Sequence, residues 1–245
     1  MTGQLAGRRI LVSGGSSGLG AAIAVACARD GAAVAAIGRD SAKLDELAAA
    51  AGVLPVVADI ADPVAADSAV ASAAAALGGL DGLVNNAGLM LHSLIGDGLV
   101  EDWDAIVRVN ILGMLHVTSA ALPYLREATL ADLVVIASLA SDRVAAPDYS
   151  VYAATKAAQL RLTEGLRLEL AEDRGIRVSL VKPGFMNTAG IGTGTRDPER
   201  QKQVLELKER IGLLPEVVAE EIRHLLALPP EVAVPELMIV PTARP

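Results

Sequence analysis

Cysteine is almost absent: Cys27 is the one thiol in 245 residues, so no internal disulfide can form. Its setting in an Ala-rich helical run suits a buried, inert side chain. Aromatic residues amount to 2% while hydrophobic residues reach 52%, so the core has to be built from aliphatic side chains. Basic residues are in deficit, 21 Lys and Arg against 29 Asp and Glu, for a net charge of −8. That balance argues against the basic face of a nucleic-acid binder. It leaves room for a bound phosphate, which one arginine and a helix N-terminus can hold. No signal-like hydrophobic region precedes the first strand at Ile10. No uncharged run is expected to approach the roughly 18 residues of a membrane span. The expected protein is cytoplasmic, without a nucleic-acid or membrane partner and without a metal site.

What the chain has is alternation. Apolar runs that read as strands alternate with helical patterns, without a linker or a break in composition. That order predicts a single α/β domain over residues 1–245, a Rossmann-type doubly wound parallel sheet of about seven strands with helices on both faces. Expected strands lie at 9–13, 32–37, 54–57, 80–84, 130–137, 177–181 and 237–240. Expected helices lie at 21–29, 41–51, 64–78, 102–128, 149–173, 199–211 and 215–228. Pro123 predicts a kink in the 102–128 helix. Asn110 in the same helix is costly unless its side chain or backbone has a task. Residues 189–200, rich in Gly and Thr, read as mobile, inside a substrate-loop region at about 186–213.

Ligands of such a sheet gather outside the strand C-termini, and several groups fall there. The first strand runs into Gly14-Gly15-Ser16-Ser17-Gly18-Leu19-Gly20 and then a helix. Glycines let the backbone approach a pyrophosphate, and the first helical N–H groups point at it. The spacing of Gly14, Gly18 and Gly20 differs from the commonest dinucleotide fingerprint. About 20 residues past such a loop an acidic residue would bind the ribose of NAD. Gly38 stands there instead, followed by Arg39, which can pair with a 2′-phosphate. NADP(H) is therefore favoured over NAD(H), with Asp40 as the opposing sign. Asp59, followed by Ile60, either meets an adenine amino group or caps a turn. Asn85-Asn86-Ala87-Gly88 either shapes a pocket floor or makes a turn. His92, in the loop with Met90, is either a cleft liner or a solvated histidine.

Residues four apart share a helix face, so Tyr152 and Lys156 should point the same way. A phenol loses its proton near a pKa of roughly 10, and a fixed ammonium favours the phenolate. Ser138, at the end of a strand, offers a hydroxyl to hold a substrate oxygen. The trio is a candidate acid/base device. A Tyr and a Lys at this spacing also arise by chance, and Tyr149 is a second phenol without such a lysine.

Ser13-Gly14-x-x-x-Gly18-x-Gly20, Asp59, Asn85-Asn86-Ala87-Gly88, Asn110, Ser138, Tyr152-x-x-x-Lys156 and Pro183-Gly184 come in a characteristic order. In this the chain resembles the short-chain dehydrogenase/reductase family over essentially its full length. The resemblance implies a nicotinamide cofactor and an Asn-Ser-Tyr-Lys catalytic group. Tyr152 would be the acid/base and Ser138 would hold the substrate oxygen. Lys156 would lower the Tyr pKa and bind the nicotinamide ribose, and Asn110 would help order a water behind Lys156. Implied cofactor contacts come from Gly14, Ser16, Ser17, Gly18, Leu19 and Gly20, then Gly38 and Arg39, then Asp59 and Ile60. Asn86, Ala87 and Gly88 follow, with Tyr152 and Lys156, and with Pro183, Gly184 and Thr188 near the carboxamide.

The substrate implied is a small carbonyl or alcohol, with Met90, His92, Tyr149, Phe185 and Met186 as candidate liners. A homodimer or homotetramer through helices 102–128 and 149–173 is implied as well. The ending Pro235-Glu236-Leu237-Met238-Ile239-Val240-Pro241-Thr242 resembles an NADP-dependent subgroup that includes 3-hydroxy-acid (serine) dehydrogenases and clavulanate-type aldehyde reductases. Departures are Ser13 for Thr, Ser141 for Gly, Asp142 after it, a Ser138–Tyr152 gap one residue longer than usual, and Lys182 before Pro183. The rival from another class is a catalytically silent NADP(H)-binding regulatory or partner protein, against which the four matching groups argue. An epimerase or dehydratase on the same fold is a third reading, though such relatives usually carry a larger C-terminal substrate region.

Overall fold

A computed structural model describes residues 3–172 and 175–242. The expected helix end at Asp173 lies outside them. Among the described residues the strands are β1 (Arg9–Ser13), β2 (Ala33–Gly38), β3 (Leu54–Val57), β4 (Gly82–Asn85), β5 (Ala131–Ile136), β6 (Ile176–Pro183) and β7 (Glu236–Ile239). They form one sheet in the order β3-β2-β1-β4-β5-β6-β7, with every pairing parallel. The order reverses between β1 and β4, which opens a crevice beyond their C-terminal ends.

The helices are α1 (Gly18–Arg29), α2 (Ser41–Ala51), α3 (Pro63–Leu77), α4 (Val100–Val107), α5 (Met114–Glu127), α6 (Ser150–Glu169), α7 (Pro198–Ile211) and α8 (Pro215–Leu226). Both sheet faces are covered, so the strands are apolar on both sides. Leu11 of β1 with Leu133 and Val135 of β5 packs against α3 and α5 residues such as Val70, Ala73 and Val117. Ile10, Val12, Val134 and Ile136 pack instead with Ile23 of α1, Leu44 of α2 and Ile222 of α8. The Ala-rich α3 buries Ala66, Ala69, Ala73 and Ala74, whose small side chains let the helix lie close to the sheet. Asp62 caps it by accepting from Val64 N–H at 2.8 Å, with Pro63 in the first turn. Cys27 is buried as expected, and desolvation pushes its thiol up to about 12, which leaves it inert.

Several expectations need correction. α1 begins at Gly18 rather than Ala21, so Gly18, Leu19 and Gly20 form its first turn. The 102–128 helix is a stack of α4, a π-turn at Arg108–Gly113, and α5. α5 continues through Pro123, and the departure from α geometry lies at Asn110. Residues 109–125 carry no Asp, Glu, Lys or Arg, so an uncharged run does approach the length of a span. Val100–Glu127 is long and apolar enough to cross a membrane. Its Met114, Val117, Ala121 and Leu125 nonetheless pack into the layer against the sheet.

Residues 189–200, expected to be mobile, make hydrogen bonds to the rest of the chain. His92 N–H donates to the Gly194 carbonyl at 3.0 Å, and Gln201 Nε2 to that of Gly192 at 3.0 Å. The segment is closed at its base, where Asn187 N–H donates to the Leu213 carbonyl at 2.7 Å.

Ionic contacts gather at the N-terminal edge of the sheet. Asp132, 1% exposed, receives Arg177 Nε at 2.8 Å and Arg8 Nη2 at 2.8 Å. Asp81 receives Arg8 Nε at 2.7 Å and Arg9 Nε at 3.0 Å.

Candidate active site

The glycine loop takes a shape other residues would spoil. Gly14 has φ +67° and Gly18 φ +56°, conformations that favour glycine. A Cβ on Gly14 would lie 2.6 Å from Ala87 Cα, and one on Gly20 would lie 2.2 Å from the Gly14 carbonyl oxygen. Asn86 straps the loop down: its Nδ2 donates to the Ser13 and Gly14 carbonyls at 3.1 and 3.2 Å. Ser13 Oγ accepts from the N–H groups of Asn86 and Ala87 at 3.1 and 3.2 Å. Ser17, the N-cap of α1, makes no side-chain capping bond, so the first N–H groups of the helix stay available at the crevice.

A cleft of about 1200 Å³ runs along this edge. Gly14, Ser16, Ser17, Gly18 and Leu19 line it with Gly38, Arg39, Asp59 and Ile60. Asn86, Ala87 and Gly88 follow, then Pro183, Gly184 and Thr188, and then Ser138, Tyr152 and Lys156. Gly20 does not line it and acts through its close approach to Gly14. A Cβ on Gly38 would meet Ser16 Cβ at 2.8 Å. Arg39 is 65% exposed and 4.0 Å from Asp59 Oδ2. The opposing sign, Asp40, is engaged as the cap of α2, accepting from Lys43 N–H at 3.1 Å, and does not line the cleft. Asp59 lines the cleft and also caps a turn, accepting from Ala61 N–H at 3.0 Å. A glycine cradle, uncapped helix N–H groups and a guanidinium beyond a glycine fit a 2′-phosphorylated dinucleotide.

At the other end Ser138 sits just beyond β5, accepting from Ala140 N–H at 3.1 Å and hydrogen-bonded to the Tyr152 hydroxyl. Lys156 Nζ lies 5.8 Å from the Tyr152 ring centroid. Desolvation pushes Tyr152 up to about 12, with the Ser138 hydrogen bond acting against it and Tyr149 adding to it. Desolvation also drops Lys156 to about 7. Burial thus dominates at both groups, raising the phenol and lowering the ammonium. Both groups have lost hydration and neither has gained an opposite charge.

Asn110 has its task twice over. Its side chain accepts from Leu89 N–H at 2.7 Å and donates to the Leu89 carbonyl and to Thr155 Oγ1, each at 3.0 Å. That holds the chain just after Gly88. Its carbonyl accepts from Gln159 Nε2 at 2.7 Å. The side-chain amide of Gln159 thus links the Asn110 carbonyl to Lys156.

Met90, Tyr149, Phe185 and Met186 line that end of the cleft. His92 does not. Its side chain is 2% exposed, with Nδ1 3.2 Å from Asp148 Oδ2 and its ring edge-on to Tyr149 at 4.3 Å. Burial lowers its pKa, with Asp148 opposing. It supports Tyr149 from behind, because the loop folds inward to meet residues 194–195.

Arg143 and Arg200 also line this end and were not foreseen. Arg200 Nε lies 3.1 Å from Asp148 Oδ2, with its guanidinium 5.9 Å from the Tyr149 ring centroid. Two departures explain each other: Lys182 Nζ lies 2.7 Å from Asp142 Oδ2 and also pairs with Glu236. Burial opposes that charge, but the two carboxylates hold the ammonium above its usual value.

A family model for short chain dehydrogenase matches residues 8–198. An uncharacterized oxidoreductase of Staphylococcus aureus (strain MRSA252) is 36% identical over 234 residues, 94% of this chain and 96% of that protein. A short chain dehydrogenase from Burkholderia cenocepacia J2315, solved in complex with NADP, is similar with TM-score 0.81 and 34% identity, covering 97% of this chain and 98% of that one. An alcohol dehydrogenase from the archaeon Thermococcus sibiricus, complexed with 5-hydroxy-NADP, is similar with TM-score 0.83 and 29% identity over 97% and 98% of the two chains. With that match laid along a parallel sheet whose crevice gathers the glycine loop, Ser138, Tyr152 and Lys156, the chain belongs to the short-chain dehydrogenase family of oxidoreductases.

Proposed function

We propose that this protein uses NADP(H) to interconvert a small carbonyl compound and its alcohol, with Tyr152 as the acid/base. The observation that carries the reading is that one cleft holds, at opposite ends, the glycine cradle with Arg39 and the Ser138–Tyr152–Lys156 group. The loop and the N-terminus of α1 hold the diphosphate, Arg39 the 2′-phosphate, and Lys156 a ribose hydroxyl. Pro183, Gly184 and Thr188 meet the carboxamide. Bound NADP(H) supplies or accepts the hydride at its nicotinamide. In reduction Tyr152 gives a proton to the carbonyl oxygen, while Ser138 donates a hydrogen bond to the same atom as charge develops there. A phenol that stays protonated well above neutral pH is suited to the donor role.

The substrate end is aliphatic apart from Tyr149 and Phe185, with Arg143 and Arg200 beside them. It suits a small carbonyl compound, and the Arg143 guanidinium favours one that carries an acidic group. We also read the chain as one cytoplasmic domain that self-associates. Val107 and Leu112, which interrupt the polar surface around the π-turn, are 38% and 40% exposed.

The test is NADPH and NADH consumption against aldehydes, ketones and 3-oxo acids, with the reverse reaction on 3-hydroxy acids. Turnover with NADPH is the expected result. Tight NADPH binding by fluorescence with no turnover across the panel would favour the catalytically silent reading.

A further inference from the structure

Lys156 is buried, 4% exposed, yet among the described residues no carboxylate meets it. Its Nζ donates to the Ile136 carbonyl at 3.0 Å and to Gln159 Oε1 at 2.9 Å. Gln159 is 1% exposed and one turn along the same face of α6. Its amide orientation is dictated at both ends. The Asn110 carbonyl can only accept, so Nε2 must face it, and Oε1 is left for an ammonium that can only donate. The π-turn at Arg108–Gly113 places that carbonyl against α6.

We propose that Gln159 is a positioning residue that keeps the Lys156 ammonium charged and aimed at the cleft, by an amide bridge braced on the Asn110 carbonyl. The proposal rests on the oxidoreductase reading above for its consequence in turnover, and on geometry alone for its effect on Lys156. An amide oxygen stabilises the charged lysine without neutralising it. The positive charge remains free to act on whatever occupies the cleft.

Other ionisable groups around Lys156 are accounted for. On α6 the neighbour is Tyr152. β4, the segment Leu139–Ser141 and the residues Asn86–Leu89 contribute none. On β5 the one candidate, Asp132, is bound to Arg8 and Arg177 at the far edge. On the π-turn Arg108 is exposed. On α4, Glu101 and Asp104 are exposed and Asp102 pairs with Arg196. On β6, Arg177 is bound to Asp132 and Lys182 to Asp142 and Glu236. Burial is the one influence resolved on Lys156, and it lowers the pKa to about 7, which makes each remaining hydrogen-bond acceptor count.

The test follows the titration of Lys156 directly, by NMR of protein labelled at the lysine side-chain ε carbon. The signal is assigned as the one lost in Lys156→Arg. Gln159→Met removes the acceptor, and the Lys156 titration should move down by about one pH unit. Gln159→Glu adds an opposite charge, and the titration should move up by about one unit or more. The alkaline fall of kcat/KM should move in the same two opposite directions. A purely structural side chain would lower Tm in both variants and leave the Lys156 titration in place, which would overturn the proposal. If one variant does not fold, the direction of shift in the other decides. Opposite NMR shifts in a protein that turns over no carbonyl would uphold the role of Gln159 and sink the oxidoreductase reading instead.

Discussion

The two edges of the sheet treat buried charge in opposite ways. At the N-terminal edge Asp132 is met by Arg8 and Arg177, and Asp81 by Arg8 and Arg9, so each buried carboxylate has at least two guanidinium hydrogen bonds. At the C-terminal edge Lys156 is equally buried and has, among the described residues, only a carbonyl and an amide. A buried charge without a counter-charge is costly, and it persists where the charge is used. The first edge is built to hold the strands together. The second is left electrostatically unfinished, with room for a ligand to complete it.

Four substitutions or conditions break or sharpen that contrast. Tyr152→Phe should lower turnover by about three orders of magnitude, with NADPH affinity within a few-fold and Tm nearly unchanged. Near-normal activity would remove Tyr152 from the chemistry. Asp132→Asn should do the reverse at the other edge. Breaking a buried pair costs about 3–5 kcal/mol, read as a fall in the urea midpoint. NADPH turnover per folded molecule should stay close to wild type, and an unchanged midpoint would show that the network is ornamental.

Arg39→Ala should weaken NADPH binding by about tenfold, the scale of one charge-assisted contact, with NADH much less affected. Equal losses for both cofactors would mean that Arg39 does not read a 2′-phosphate. The last effect is in pH. Lys156 is held near 7 in the fold against 10.5 unfolded. Below about pH 7 both states carry the proton and the cost of burying it is complete. As pH rises from there the unfolded chain binds more protons, so this group makes the fold more stable with rising pH. Tyr152, raised from 10 to about 12, acts in the opposite sense above pH 10. Between about pH 7 and 10 the stability of the protein relative to Lys156→Met should therefore rise with pH. A difference constant across that range would contradict the depressed lysine.

The fold was legible because its signals are local or repeat at short range. Strand and helix order follows from apolar periodicity, and the loop 14–20 is punctuated by glycine. The pairing of Tyr152 with Lys156 needs only one helical turn. Boundaries moved where tertiary contacts compete with local preference, as at Asn110, where the helix opens into a π-turn rather than bending at Pro123. His92 was misplaced because whether a loop histidine faces a cleft depends on a bridge to residue 195, more than a hundred positions away. Arg200 was missed for the same reason: it is one more charge on an amphipathic helix until α7 folds over the cleft beside Tyr149. Gln159 did leave a trace, a polar residue three positions after Lys156 on the same face, but the Asn110 carbonyl it reaches lies 49 residues earlier.

By itself the sequence determined the alternating α/β order, the aliphatic core, the phosphate-type loop and which residue types could do acid/base work. These depend on side-chain periodicity and on neighbours within a few positions. Tertiary structure alone decided which charges are paired and which are left waiting. Lys182 meets Asp142 and Glu236, Asp40 turns to cap α2, and Lys156 rests on an amide instead of a carboxylate. The physical reason is that a side chain's desolvation and partners are set by whatever the fold packs against it, and those neighbours come from far along the chain.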